Sequence, residues 1–131
     1  MAAGVEPIFE TTIQSPGVTF TSADTTTKKT LLTAGAAGAR IDRIQVCTDD
    51  TVAVNLAFYI SISGTDYYIG NVNVPIGSGY TTVAIVDAIP TLSPTLGYIT
   101  LQASALLKVN CVATMTAAKT TTVAVVAGGD F

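Results

Sequence analysis

Between Thr51 and Ser63 every second residue is large and apolar: Val52, Val54, Leu56, Phe58, Ile60 and Ile62. The intervening residues, Ala53, Asn55, Ala57, Tyr59, Ser61 and Ser63, are small, polar or amphipathic. Side chains alternate across a strand but recur every three to four residues on a helix. Six apolar positions at period two therefore specify a strand with one buried face. The rest of the chain has the same character. Its 22 threonines, 14 valines and 11 isoleucines make 47 β-branched residues among 131. Such side chains are stiff at χ1 and pack well on a pleated surface. This excludes a coiled coil, a helical bundle and a disordered chain, and fits one all-β domain.

Turn residues divide the remainder into further short strands. Lys28–Thr33 is broken by the two glycines of 34–39, and Arg40–Thr48 ends at Asp49-Asp50. Arg40–Thr48 has Ile44 and Val46 on one face and Ile41 and Cys47 on the other, which reads as a strand covered on both sides. Gly64-Thr65-Asp66 turns the chain into Tyr67–Val74, so this pair should form an antiparallel hairpin. Tyr80–Val86, Tyr98–Leu101, Leu107–Met115 and Thr120–Ala127 complete the set, with a long irregular connection over 87–97 that holds Pro90 and Pro94. About eight short strands with frequent turns predict an antiparallel β-sandwich, jelly-roll-like, over residues 28–131. Residues 1–27 differ, with Pro7, Pro16-Gly17 and both glutamates. They read as an extended N-terminal arm with one short strand near Val18–Phe20 and with Val5, Ile8, Phe9 and Ile13 as apolar anchors.

The chemistry-bearing residues are few. There is no histidine, which removes the commonest general base and metal ligand. A serine or threonine nucleophile would need a lysine or carboxylate base, and no Ser-x-x-Lys occurs. Asp49, Asp50, Asp66 and Asp87 are the paired-carboxylate candidates, but all four fall at expected turns, where aspartate caps its own backbone. Calcium would require the Asp49, Asp50 and Asp66 loops to converge. The glycine pairs Gly35/Gly38 and Gly77/Gly79 lie between strands rather than before a helix, so they read as turn residues and not a phosphate cradle. No enzyme, cofactor or metal is expected.

Six basic residues and a net charge of −3 give no footprint for nucleic acid or an anionic membrane. No apolar stretch is long enough for a membrane helix, and Met1–Pro7 lacks the basic and apolar regions of a secretory signal. Cys47 and Cys111, 64 positions apart in apolar strand patterns, read as buried free thiols; pairing would require adjacent strands. With only 15 charged residues, much of the surface must be apolar or threonine-covered, and contiguous surface of that kind marks an interface.

Four stretches carry a resemblance: Leu32–Val46, Tyr59–Tyr68, Leu107-Lys108-Val109, and Val123–Phe131 with its closing Gly-Gly-Asp-Phe. Together they resemble small capsid decoration, or cement, proteins of tailed bacteriophages, over about residues 28–131. Where that family has a proline-glycine before the Leu-x-Val strand, this chain has Gln102-Ala-Ser-Ala105, which puts that turn in question. The resemblance implies a structural, non-enzymatic β-sandwich protein on the outside of the virion head. It would be made in the bacterial cytoplasm, associate as a homotrimer and bridge capsomers by binding the major capsid protein. Val5, Ile8, Phe9 and Ile13 would then anchor the arm on a neighbouring protomer or on the capsid. The alternative is a carbohydrate- or receptor-binding β-sandwich of a phage fibre or tail, for which Tyr59, Tyr67, Tyr68, Tyr80 and Tyr98 are the candidate aromatic platform. Tyr67 and Tyr68 face opposite ways on one strand, so at most one of them belongs to it.

Overall fold

The alternating segment is the centre of one of two facing sheets. The structure, a computed structural model, describes residues 11–131. Ten strands are present among the described residues: β1 (Thr12–Ile13), β2 (Gly17–Phe20), β3 (Lys29–Thr33), β4 (Ala39–Thr48), β5 (Val54–Ile62), β6 (Thr65–Val74), β7 (Val86–Asp87), β8 (Ile99–Leu101), β9 (Leu106–Cys111) and β10 (Thr121–Asp130). One helical turn, α1 (Ile89–Leu92), follows β7. The first sheet runs β1-β10-β4-β7, with β2 also on β10 and β8 also on β4; the second runs β3-β9-β5-β6. Every pairing is antiparallel. Since β1 and β2 share one flank of β10, and β7 and β8 one flank of β4, each sheet is four rows wide. The protein is an all-β antiparallel sandwich, as expected.

The core lies between the sheets. Phe20, Ile41, Ile44, Val46, Val123 and Val125 meet Leu32, Leu56, Phe58, Val72, Leu107 and Val109, all essentially inaccessible to solvent. Each such side chain contributes roughly 1.5–3 kcal/mol relative to leaving it in water. The β5–β6 hairpin turns on Ser63 and Gly64, with φ of 51° and 83°. Two consecutive positive-φ residues suit a two-residue hairpin turn whose twist matches the strands.

Several readings change. Val52 is 59% exposed and lies before β5, which begins at Val54. Ala57, on the outward face of β5, is nonetheless only 4% exposed. β4 is not covered on both sides. Its register against β10 shifts near Arg43, so that Ala39 and Ile41 and then Ile44 and Val46 all turn inward; a bulge brought Ile41 onto the core face, while Cys47 stays on the outward face, half-buried beside Gly79. Tyr80–Val86 is a strand only at its last residue, which opens β7. Thr81 explains the loss: its Oγ1 donates to the Gly77 carbonyl (3.1 Å) and accepts from the Val83 amide (3.2 Å). A local side-chain turn thereby replaces the ladder. The doubtful segment 102–105 does turn, with Ser104 at φ 61° and the Ala105 amide on the Gln102 carbonyl at 3.1 Å.

Of the expected arm, residues 1–10, including Val5, Ile8 and Phe9, lie outside the described residues. From Thr11 onward the chain lies along β10: Thr12 is opposite Asp130 and Val18 opposite Val123. Phe20 enters the core, whereas Ile13 is 82% exposed. Gly129 permits the join, because a Cβ there would overlap the Thr12 carbonyl. Gln14 completes it, its Nε2 donating to Asp130 Oδ1 at 2.6 Å while the Gly35 amide donates to the same oxygen at 3.0 Å.

Candidate functional site

Strands β2, β4, β6 and β9 end, and β3, β5, β7 and β10 begin, at the same end of the sandwich. Their connections, residues 21–28, 49–53, 75–85 and 112–120, are therefore neighbours there. Eleven large apolar residues are exposed among the described ones. Six of them, Val52, Ile76, Tyr80, Val83, Ile85 and Val112, belong to the last three of these connections. Those three connections hold only three charged residues: Asp49, Asp50 and Lys119. The last three connections thus form an apolar patch with little charge, beside the ionic 21–28 connection, where Asp24 pairs with Lys29 at 3.1 Å; contiguous apolar surface of that kind marks an interface.

Both carboxylates are turned to internal use. Asp49 Oδ1 accepts from the Thr120 amide at 2.7 Å. Asp50, only 2% exposed, ties two loops together. Its Oδ1 accepts from the Thr116 hydroxyl (2.6 Å) and the Val52 amide (3.0 Å), and its Oδ2 from the Thr116 amide (3.1 Å). Burial alone would raise its pKa, but the hydrogen bonds from Thr116, Val52 and Thr51 outweigh it and lower the pKa below the ordinary 3.8.

Beside this tie is a cleft of about 160 Å³. The Val112 amide still donates to the Asn55 carbonyl at 3.0 Å. Beyond that bond the chains leading into β5 and out of β9 part, and Val52, Val54, Val112, Ala113 and Met115 line the gap, with Asp50, Asn55 and Thr114 at its polar edge.

The second grouping lies on the outward face of the β3-β9-β5-β6 sheet. Tyr59 pairs with Tyr68, ring centroids 5.8 Å apart and planes at 58°. The Lys28 ammonium sits 4.0 Å from the Tyr59 centroid and 2.9 Å from Asp66 Oδ2, and Lys108 is 3.5 Å from Asp66 Oδ1. Asp66 is thus not a turn cap but the centre of an ion cluster within β6. Hydrogen bonds from Lys28 and Ser61, and the charges of Lys108 and Lys28, hold its carboxyl at about 2 despite some desolvation. Tyr67 stands opposite Ile60 and Tyr68 opposite Tyr59, so they face opposite ways and only Tyr68 joins this group.

The other sequence candidates do not come together. Asp87 Oδ1 accepts from the Ile89 amide at 3.1 Å and so holds the start of α1. Asp49 and Asp50 are at the loop end and Asp66 is on the outer sheet face; among the described residues no three Cys, Asp or Glu side chains are placed to share a metal ion. Cys47 in β4 and Cys111 in β9 belong to different sheets and are both free. Burial pushes the Cys111 thiol up to about 11. The apolar loop end was visible in the sequence only as scattered residues; what gathers them is the alternation of the chain between the two sheets. Compared with known protein families, curated proteins and solved structures, the chain matches none.

Proposed function

We propose that this protein is a structural capsid decoration protein of a tailed bacteriophage. In this reading it is not an enzyme; it binds the major capsid protein on the outside of the head and bridges capsomers as a homo-oligomer, a trimer by the resemblance. The single observation that carries the reading is the apolar loop end. Six exposed large apolar side chains on three connections, with their two carboxylates bonded inward, suit a permanent protein contact far better than solvent or an ionic ligand. The order of the rows supports it by analogy. Rows β1/β2, β10, β4 and β7/β8 facing rows β3, β9, β5 and β6 follow the two Greek keys of a jelly roll, an architecture used by viral capsid proteins and lectins. Fold alone does not fix function, so the loop end bears the weight.

The test is co-sedimentation with purified heads that lack decoration. Wild-type protein should saturate them at a fixed number per capsomer junction, and Ile76→Asp/Tyr80→Asp should bind far more weakly while remaining folded. No co-sedimentation, or a variant as good as wild type, would overturn the reading.

The Tyr59–Tyr68 pair favours a second reading, a carbohydrate- or receptor-binding domain, because an exposed aromatic beside Lys28, Asp66 and Lys108 could stack on a sugar ring and bond its hydroxyls. Glycan-array binding that disappears in Tyr68→Ala and survives Ile76→Asp/Tyr80→Asp would favour it.

A further inference from the structure

The two ends of the sandwich are unlike each other. The loop end carries the cleft between Val52 and Val112. At the far end lie Thr11 and Thr12: the Thr11 amide donates to the Asp130 carbonyl at 2.7 Å, and Thr12 is opposite Asp130. β10 starts at the loop end with Thr121 and reaches Asp130 nine residues later, a span of about 30 Å at roughly 3.3 Å per residue. β1 is antiparallel to it, so Thr11 and Thr12 lie at the end of the sandwich opposite the loops. Even fully extended, Phe9 reaches only about 7 Å from Thr11 and Val5 about 20 Å. The apolar residues Val5, Ile8 and Phe9 therefore cannot cover the cleft of their own copy.

We propose that they cover that of a second copy: residues 1–10 of one protomer dock with Ile8 or Phe9 in the cleft between Val52 and Val112 of the next. The cleft, about 160 Å³, has the capacity for one such side chain, since an apolar cavity of about 150 Å³ holds a benzene ring. Its walls are mainly apolar, with Asp50, Asn55, Thr114 and Thr116 as polar lining. Beyond the Val112–Asn55 bond the parted chains also offer backbone groups that the β5–β9 ladder no longer pairs, which an extended segment can bond. Each copy then presents one segment and one cleft at opposite ends, which is a head-to-tail contact. Such contacts close into a ring or grow without limit, according to the rotation between neighbours. The inference rests on the self-association in the reading above, not on the capsid.

Its test is complementation in the full chain. Ile8→Asp/Phe9→Asp removes the inserted side chains; Val112→Arg, or Thr114→Arg at the rim should Val112→Arg not fold, blocks the cleft. Circular dichroism melts establish that each variant is folded, and sedimentation velocity at tens of micromolar gives the mass. Wild type should be oligomeric and each variant alone should fall to the 13.4 kDa protomer. An equimolar mixture of an intact segment with an intact cleft should recover one contact per pair, giving about twice that mass and nothing larger. A monomeric wild type, variants that stay oligomeric, or a mixture that stays monomeric would each overturn the proposal. Failure to bind heads by a protein whose oligomer behaves as described would count against the capsid reading alone.

Discussion

Phe58 is the largest completely buried side chain of β5, with Val109 and the Gly70 bulge on its flanks. Phe58→Ala should cost about 3–5 kcal/mol, the lost transfer energy plus the cavity, read as a lower midpoint in urea followed by far-UV circular dichroism. Its neighbour Ala57 faces the other way and is buried too, between Asn110 and Asn71. Ala57→Ser adds one hydroxyl beside side-chain amides able to bond it, and should cost about 1 kcal/mol or less. Alternation alone made Phe58 legible as core; it gave no hint that Ala57 is covered, because that cover comes from strands distant in sequence. The ion cluster was equally hidden, since Lys28, Asp66 and Lys108 are far apart in the chain and meet only through the β3-β9-β5-β6 order. The cluster has a pH signature. Asp66 holds its proton less tightly folded (about 2) than at its ordinary 3.8, so its contribution is fully present above about pH 4 and is lost as pH falls toward 2. Asp66→Asn should flatten the fall in stability between pH 4 and 2. A variant that loses stability over that window as steeply as wild type would show that the cluster does not couple to folding.

At the scale of elements, the strands with clean alternation and sharp turns were readable: β3, β5 and β6 fall close to their expected places, whereas β9 begins where expected but stops at Cys111 instead of Met115. Failures occurred where a side chain or a bulge overrides the period. Thr81 turns 77–83 into a local loop, and the shift near Arg43 hides which face of β4 is apolar. β10 runs on to Asp130 through Gly128-Gly129, a pair that reads as a terminator. There it is flanked on both sides, by β1 and by β4, and close approach requires glycine. The loop end depends on such particulars, above all on Asp50. Asp50→Ala would strand the Thr116 and Val52 amides and should cost about 2–3 kcal/mol, whereas Asp50→Asn keeps one acceptor and should cost about half as much. The expected accompaniment is faster hydrogen exchange in 49–53 and 112–116, with β5 and β9 unaffected. Exchange spreading through the whole sandwich would mean that Asp50 supports the core and not merely the loops.

At the scale of the whole molecule, the balance of forces in any contact made by the loop end follows from its composition. The three apolar connections have one cation and two carboxylates already satisfied by amides, so partner binding there gains little from charge. Salt screens exposed charges within about 8–10 Å at moderate ionic strength, yet leaves apolar burial nearly untouched. Sulfate, excluded from protein surface, strengthens it. Affinity for undecorated heads should therefore change less than about twofold between 50 and 500 mM sodium chloride and should rise in ammonium sulfate. Replacing Ile76 and Tyr80 by aspartate removes two contacts of roughly 1.5 kcal/mol each and adds two charges to be desolvated. That amounts to at least a hundredfold loss of affinity at about 1.4 kcal/mol per tenfold. Binding that weakens steeply with sodium chloride would point instead to the lysines of the outer sheet face, Lys28 and Lys108. In that case Lys108→Glu should abolish binding and the loop-end variants should leave it intact.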